Sequence, residues 1–153
     1  MKSVYESPIG TFVITEQQGY ITGISRSDAK EPELSEKPGP ETVRAIQQLS
    51  EYFDGKRRKF DLKLNPQGTE FQRQVWQALT QIPYGQTKTY GQIAAAVGRP
   101  KAYRAVGMAN HANPISIVVP CHRVVGADGS LTGYAYGLEI KSRLLKLESK
   151  TIG

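Results

Sequence analysis

The feature that most constrains the fold of this chain is a breaker near its middle, Asn65-Pro66-Gln67-Gly68, because it separates two halves with different hydrophobic patterns. Before it, β-branched and aromatic residues cluster or alternate over 3–6, 10–16 and 19–25, with Pro and Gly between the runs. This pattern predicts a small antiparallel sheet. Over residues 40–52 the apolar side chains recur at three- and four-residue steps instead, which predicts one amphipathic helix.

The second half has the pattern of several short helices. Thr69 is a predicted N-cap with Gln72 three residues later, and an apolar helix face follows it. Thr89 is a second predicted cap, for a helix over 90–97, and another helix is predicted over 102–110. Because a short turn containing glycine joins these last two helices, their spacing is that of a helix-turn-helix.

Composition argues against several classes of protein. The 153 residues are 39% hydrophobic and 22% charged, which is typical of one globular domain or two small subdomains. No apolar run approaches the roughly 20 residues of a membrane-spanning helix, and no apolar leader follows the start, so we expect a soluble cytoplasmic protein. One cysteine and two histidines argue against a disulfide scaffold and against a metal site. Residues 26–40, rich in Lys, Glu, Ser and Pro, predict a mobile surface loop.

Positive charge is concentrated after the breaker. Residues 1–68 carry ten Lys or Arg and ten Asp or Glu, whereas residues 69–153 carry ten and four. Between Glu70 and Asp128 there is no carboxylate, but there are six cations: Arg73, Lys88, Arg99, Lys101, Arg104 and Arg123. Such a stretch is either an ordinary solvated face or a surface that binds phosphates, where each cation releases a counterion. The helix-turn-helix spacing within the stretch favours the second interpretation.

The candidate nucleophile is Cys121, which follows Pro120 and the apolar segment 115–119. A lone cysteine is most often a small core residue, and His122 can equally be a hydrogen-bonded core histidine. A thiol next to His122 and Arg123, in a stretch without acids, is nevertheless in an environment that favours a thiolate and therefore a nucleophile.

Six consecutive residues, Pro120-Cys121-His122-Arg123-Val124-Val125, match the active-site signature of the O6-alkylguanine-DNA alkyltransferases, the methylated-DNA–protein-cysteine methyltransferases. The chain resembles this family over nearly its whole length. The other matching motifs, in order, are Ser7-Pro8-Ile9-Gly10, Thr89-Tyr90-Gly91-Gln92-Ile93-Ala94, Arg104-Ala105-Val106-Gly107, Asn113-Pro114, Gly133-Tyr134-Ala135, and Gly137-Leu138 followed by a helix that ends near Glu148.

The resemblance implies an α+β protein with two domains. Residues 1–66 would form a small antiparallel sheet with a helix, similar to ribonuclease H. Residues 67–153 would form a mainly helical domain that carries the helix-turn-helix and the active-site cysteine. Some members of the family hold zinc in the first domain through cysteines and histidines, and this chain has neither residue there.

The resemblance also implies direct repair of DNA. The thiolate of Cys121 would attack the alkyl carbon on O6 of guanine, or on O4 of thymine, and keep it in a single turnover without a cofactor. By similarity, His122 would accept the thiol proton through a water, Glu148 would orient and charge the imidazole, and Asn113 would fix the turn that carries them. Tyr90 would lie against the flipped nucleotide and donate a hydrogen bond to the purine.

The remaining expected site residues bind DNA or line the alkyl pocket. As a monomer on the minor groove of double-stranded DNA, the protein would fill the vacated stack with Arg104. Small residues allow the backbone to approach the duplex, and cations lie beside them: Ala102, Ala105, Gly107, Lys101 and Arg123. The expected alkyl pocket consists of Tyr134, Ala135, Tyr136 and Lys141, and Tyr136 stands where the family often has glycine.

Two other functions compete with this one. The basic helix pair alone is compatible with a DNA-binding module that has no chemistry, although Cys121, His122, Asn113 and Glu148 are all present. The Cys-His pair alone is compatible with a hydrolase that acts on a small substrate. A hydrolase must release the group from sulfur, which water does at a thioester but not at a thioether.

Overall fold

The computed structural model of the protein describes residues 1–27 and 37–152. The loop predicted over 26–40 therefore lies largely outside the described residues. The chain divides into two compact units, one formed by Met1–Gln67 with Pro114–Ser116 and the other by Gly68–Asn113 with the chain from Ile117 onward. No helix in the described part of the chain is long and apolar enough to cross a membrane.

The first unit is a three-stranded antiparallel sheet with one helix. The strands β1 (Lys2–Ser7), β2 (Gly10–Gln17) and β3 (Tyr20–Ser27) pair in the order β1-β2-β3, and the helix α1 spans Pro40–Phe53. The inward faces of sheet and helix form an apolar core that contains Phe12, Ile14, Ile21, Ile24, Ala45, Leu49 and Tyr52. The α+β fold class and all four predicted elements of this half are confirmed.

The second unit is mainly helical. Its helices are α2 (Glu70–Thr80), α3 (Tyr90–Ala96), α4 (Tyr103–His111) and α5 (Leu138–Ile152). Two short strands, β4 (Lys88–Thr89) and β5 (Val124–Val125), pair in parallel. The helix predicted to end near Glu148 continues to Ile152, because no glycine or proline interrupts it before that point.

Reciprocal capping boxes begin α2 and α3. The hydroxyl oxygens of Thr69 and Thr89 accept hydrogen bonds from the backbone amides of Gln72 and Gln92, each at 3.1 Å. The glutamine side chains accept from the threonine backbone amides in return, each at 2.9 Å. Each box satisfies two amides that a helix start leaves free, so the start of α3 is set locally.

The segment before the cysteine is buried but is not a regular strand. Ile117 has a φ of 73°, a conformation that a β-branched residue adopts at a cost of about 1–3 kcal/mol. Its side chain is 1% exposed, so burial of the isoleucine offsets part of that cost. The chain then passes Pro120 into a single 3-10 turn, Cys121–Arg123, from which the candidate catalytic groups project.

Candidate active site

Cys121 is the first residue of the 3-10 turn and is 5% exposed. Its backbone amide donates to the carbonyl oxygen of Val119 at 2.8 Å, so the turn closes directly around the cysteine. The proline before it has a fixed φ and no amide hydrogen, which limits the conformations open to the turn. The thiol therefore lies in a buried position set by the turn.

The thiol is protonated in the resting protein. Burial raises the pKa of Cys121, and a hydrogen bond from the Asn113 side chain and the positive charge of Lys141 reverse only part of that rise. This corrects the expectation that the surroundings alone favour a thiolate, because desolvation of the charged form outweighs both favourable contacts. Nucleophilic attack by Cys121 consequently requires a base that removes the thiol proton.

His122 has the features of such a base. Its Nε2 lies 2.7 Å from Oε2 of Glu148, and both side chains are fully buried. Burial opposes ionisation of Glu148, but hydrogen bonds and charge from His122 and Arg123 outweigh it and lower the pKa of Glu148 to about 2. Because the ionised carboxylate only accepts, Nε2 carries the proton and donates it.

The other imidazole nitrogen of His122 is open. Nδ1 is buried and has no hydrogen-bond partner among the residues that the structure describes. Burial, together with the charges of Arg123 and Lys141, lowers the pKa of His122 more than the hydrogen bond and charge of Glu148 raise it. The imidazole is therefore neutral near pH 7, with Nδ1 as a free acceptor for a proton.

The structure places Arg123 away from the surface where the sequence analysis expected it. Its side chain is 7% exposed, and it forms a two-point ion pair with Glu148, from Nε at 2.9 Å and from Nη2 at 3.1 Å. This burial and pairing argue against the expected role of Arg123 in DNA binding, which stays a prediction. A buried guanidinium paired with a carboxylate is not available to a phosphate.

Two asparagines at the end of α4 hold the active-site segment. Asn113 donates from its side-chain amide to the carbonyl oxygen of Val119 at 2.8 Å, and it also hydrogen-bonds the thiol of Cys121. Asn110 is 3% exposed and donates to the carbonyl oxygen of Cys121 at 3.3 Å. The sequence analysis missed Asn110, although its position four residues after the buried Val106 places a polar side chain on the inner face of the helix.

The loop before α5 brings the predicted pocket residues together. The rings of Tyr134 and Tyr136 are perpendicular, with centroids 5.5 Å apart. Tyr134 is buried, and burial raises its pKa, whereas Tyr136 is half-buried and Ala135 is exposed. The ammonium group of Lys141 is buried and donates to the carbonyl oxygens of Val124 at 2.5 Å and Thr132 at 2.8 Å.

The predicted DNA-contacting residues other than Arg123 lie on and around the helix pair. Arg104, Lys101 and Ala105 are exposed, and Ala102 and Gly107 are half-buried.

Met108, one helical turn after Arg104, is 76% exposed and was not predicted as a surface residue of interest. Its long apolar side chain follows the arginine at an i, i+4 spacing, which could have identified it. The exposed surface of α4 therefore presents the apolar side chain of Met108 beside the small residues, and Tyr103 at the start of the helix is also exposed.

Comparison with known proteins covers both halves of the chain. Residues 1–66 match the ribonuclease-like domain of 6-O-methylguanine DNA methyltransferases, and residues 70–150 match the DNA-binding domain of the same proteins. A methylated-DNA–protein-cysteine methyltransferase of Methanosarcina acetivorans is 52% identical over 150 residues, covering 95% of this chain and 96% of that protein. The constitutive enzyme of that name from Bacillus subtilis is 49% identical over 151 residues, covering 94% and 92%.

A solved structure agrees with these sequence matches. The crystal structure of Mycobacterium tuberculosis OGT in complex with DNA has a TM-score of 0.90 and 42% identity to this chain, covering 98% of this chain and 93% of that one. A buried cysteine beside a histidine–glutamate pair, on a helical unit of this fold, defines a thiol-dependent transferase. This chain belongs to the 6-O-methylguanine DNA methyltransferase family. The family and the enzyme class expected from the sequence are thereby confirmed.

Proposed function

We propose that the protein repairs double-stranded DNA by moving the alkyl group from O6 of guanine, and from O4 of thymine, to Sγ of Cys121. The observation that carries this assignment is the geometry of His122, whose Nε2 lies 2.7 Å from Glu148 and whose buried Nδ1 has no partner among the described residues. Burial lowers the pKa of the ring, which favours the neutral form. The buried thiol of Cys121 needs a base, and this imidazole is the base next to it in the chain.

The transfer balances without a cofactor. The Sγ–carbon bond forms as the carbon–O6 bond breaks, and the electron pair of the broken bond stays on the guanine. The thiol proton goes to Nδ1 of His122 through a water, and the hydroxyl of Tyr90 supports the purine as it gains negative charge. The proton is finally passed from His122 to the guanine. An alkylated nucleobase and a thiol thus become an unmodified nucleobase and a thioether.

The product limits each chain to one turnover. A thioether at Cys121 offers no carbonyl for water to attack, unlike the thioester of a Cys-His hydrolase. The buried position of the cysteine adds to this limit because bulk water has little access to it. The protein is therefore consumed as it repairs.

DNA binding is assigned to the outer face of the helix pair. A monomer places α4 in the minor groove, where its small residues allow close approach, and the lesion is flipped out of the stack. Flipping costs a few kcal/mol of unstacking, and the exposed side chain of Arg104 fills the vacated space. All these groups lie within 67–153, which we assign as the alkyltransferase domain, with 1–66 as the N-terminal domain.

The decisive experiment mixes the protein with excess duplex that contains O6-methylguanine with a labelled methyl group. One label per chain, mapped to Cys121 by peptide mass, is the expected result, and the Cys121→Ser variant should bind the duplex without taking up label. Continued release of labelled product would indicate a hydrolase. Binding by the unaltered protein without transfer would indicate a DNA-binding module only.

A further inference from the structure

The guanidinium of Arg123 is fully engaged inside the protein. Besides its two hydrogen bonds to Glu148, its Nη1 donates to the carbonyl oxygen of Ile82 at 2.8 Å. The guanidinium carbon also lies 5.6 Å from the centroid of the Tyr84 ring. The contacts of the guanidinium therefore come from two parts of the chain. Glu148 belongs to α5, and Ile82 and Tyr84 belong to the segment that follows α2.

The carboxylate of Glu148 is correspondingly saturated. Oε1 accepts from Nε of Arg123 and from the backbone amide of Gly85 at 3.1 Å. Oε2 accepts from Nε2 of His122 at 2.7 Å and from Nη2 of Arg123 at 3.1 Å. The histidine and the arginine therefore donate to the same carboxylate oxygen. The positive charge of Arg123 offsets part of the negative charge of Glu148 that acts on His122.

We propose that Arg123 is a positioning residue which compensates the charge of Glu148, so that the carboxylate orients His122 without holding it as an imidazolium. This inference rests on the proposed function, in which Nδ1 of His122 must be free to accept the proton of Cys121. A buried carboxylate opposite a histidine alone stabilises the protonated ring, whose two nitrogens both donate. With Arg123 in place, the group of arginine, glutamate and neutral histidine has no net charge.

The charge of Lys141 also favours the neutral imidazole of His122. Among the described residues, the charged groups that influence the pKa of the ring are Glu148 and Lys141 from α5 and Arg123 from its own turn. Glu148 favours the protonated imidazole, whereas Lys141 and Arg123 both disfavour it. The ammonium group of Lys141 donates to two backbone carbonyls, whereas Arg123 contacts the carboxylate of Glu148 directly.

Two substitutions separate charge from geometry. Arg123→Met keeps the length of the side chain and removes the charge, whereas Arg123→Lys keeps a charge but loses the two-point contact with Glu148. Arg143→Met is the matched control, because it makes the same exchange at an exposed position of the helix that carries Glu148.

The direct readout is the protonation of His122, followed by nitrogen NMR over a pH titration. The chain has only two histidines, and the exposed His111 serves as an internal reference. We expect His122 to be neutral at about pH 7 in the unaltered protein and in Arg143→Met, with the proton on Nε2. In Arg123→Met the imidazolium should persist to higher pH, with Arg123→Lys between the two.

The rate of methyl transfer provides the second readout. Arg123→Met should slow transfer roughly ten- to hundredfold near neutral pH and recover rate as the pH rises, since a general base contributes about that much or more. A purely structural role would lower the rate equally at every pH.

The outcomes distinguish this inference from the proposed function. Unchanged titration of His122 in both Arg123 variants would overturn the inference, and so would an imidazolium at neutral pH in the unaltered protein. The second result applies even if the substituted proteins fail to fold. Failure of the unaltered protein to transfer methyl would overturn the proposed function, whereas the NMR titration would still test the role of Arg123.

Discussion

The hydroxyl of Tyr90 donates a hydrogen bond to the carbonyl oxygen of Thr132 at 3.1 Å, and the same carbonyl accepts from Lys141 at 2.8 Å. The first residue of α3 is thereby joined to the loop that carries the pocket tyrosines. The single hydroxyl hydrogen of Tyr90 is used in this contact, so donation to a purine in the proposed reaction requires that the hydroxyl leave the carbonyl of Thr132. Lys141 remains as a donor to that carbonyl.

We expect Tyr90→Phe to slow methyl transfer about tenfold or more, on duplex DNA and on free O6-methylguanine alike, because the hydroxyl acts on the purine in both. Single-turnover rates on the two substrates measure this effect. Tyr20→Phe is the control, since Tyr20 is 44% exposed and lies in the other unit of the chain. A full rate for Tyr90→Phe would show that the hydroxyl serves only to fix the loop.

The elements that sequence analysis predicted are those set by nearby residues. The starts of α2 and α3 depend on a threonine and a glutamine three positions later, and both boxes form as expected. The segment 65–68 separates the two patterns because its residues disfavour regular structure wherever they occur. Such signals are local, so one sequence is enough to detect them.

The partner of Arg123 and the pKa of Cys121 differ from the sequence-based expectation because both depend on contacts with distant residues. The sequence gives the charge of Arg123 but not its partner Glu148, which lies 25 positions away and faces it only after α5 has packed. The pKa of Cys121 likewise depends mainly on burial, which the order of its neighbours does not determine. A cation beside a cysteine therefore favours a thiolate only if its side chain turns toward the sulfur.

Arg104→Ala should slow repair of duplex DNA much more than reaction with free O6-methylguanine. In the proposed function the exposed arginine fills the stack that the lesion leaves and does not touch the reacting atom. Lys101→Ala is the matched control, because it removes one exposed charge from the same region without removing a planar group. It should weaken binding and reduce the slope of log affinity against log salt by about 0.9. Equal losses on both substrates for Arg104→Ala would contradict its role in flipping.

Acid should destabilise the folded protein through the buried histidine–glutamate pair. The pKa of Glu148 is about 2 in the folded state against an ordinary 4.5, so its contribution is complete above about pH 4.5 and is lost as the pH falls toward 2. That contribution is about 3 kcal/mol. Burial also lowers the pKa of His122 in the folded state. As the pH falls below about 6.5, the unfolded chain therefore binds a proton at this histidine before the folded protein does, which further favours unfolding.

Urea unfolding of the protein and of Glu148→Gln over this range measures the effect. The difference in unfolding free energy between the two should shrink as the pH falls through about 4, because the glutamine cannot gain a proton. A constant difference would mean that Glu148 is not held ionised in the folded state.

The half-buried ring of Tyr136 should restrict the alkyl groups that the protein accepts. Its centroid lies 5.5 Å from that of the buried Tyr134, which leaves little room for a third ring. We expect O6-benzylguanine to inactivate the protein slowly and Tyr136→Gly to speed this reaction, with little effect on transfer of methyl from DNA. Equal benzyl transfer rates before and after the substitution would show that the ring points away from the incoming group.

Methylation of Cys121 should lower the stability of the protein. Cys121 is only 5% exposed, and overfilling a close-packed site costs about 1–3 kcal/mol. The methyl group also weakens sulfur as a partner for the side chain of Asn113, whose hydrogen bond to the carbonyl of Val119 remains. Both effects favour the unfolded chain.

The strain should reach the DNA-binding helix through the asparagines. Asn110 bonds the carbonyl of Cys121 and lies within α4, and Asn113 follows that helix directly, so displacement of the cysteine displaces the end of the helix that carries Arg104. We expect methylated protein to melt several degrees below the free-thiol form, as the usual relation between unfolding free energy and melting temperature predicts for a domain of about 150 residues. We also expect it to bind DNA more weakly. Cys121→Ser taken through the same reaction is the control. An unchanged melting temperature and DNA affinity after complete methylation would mean that the site accepts the methyl group without moving α4.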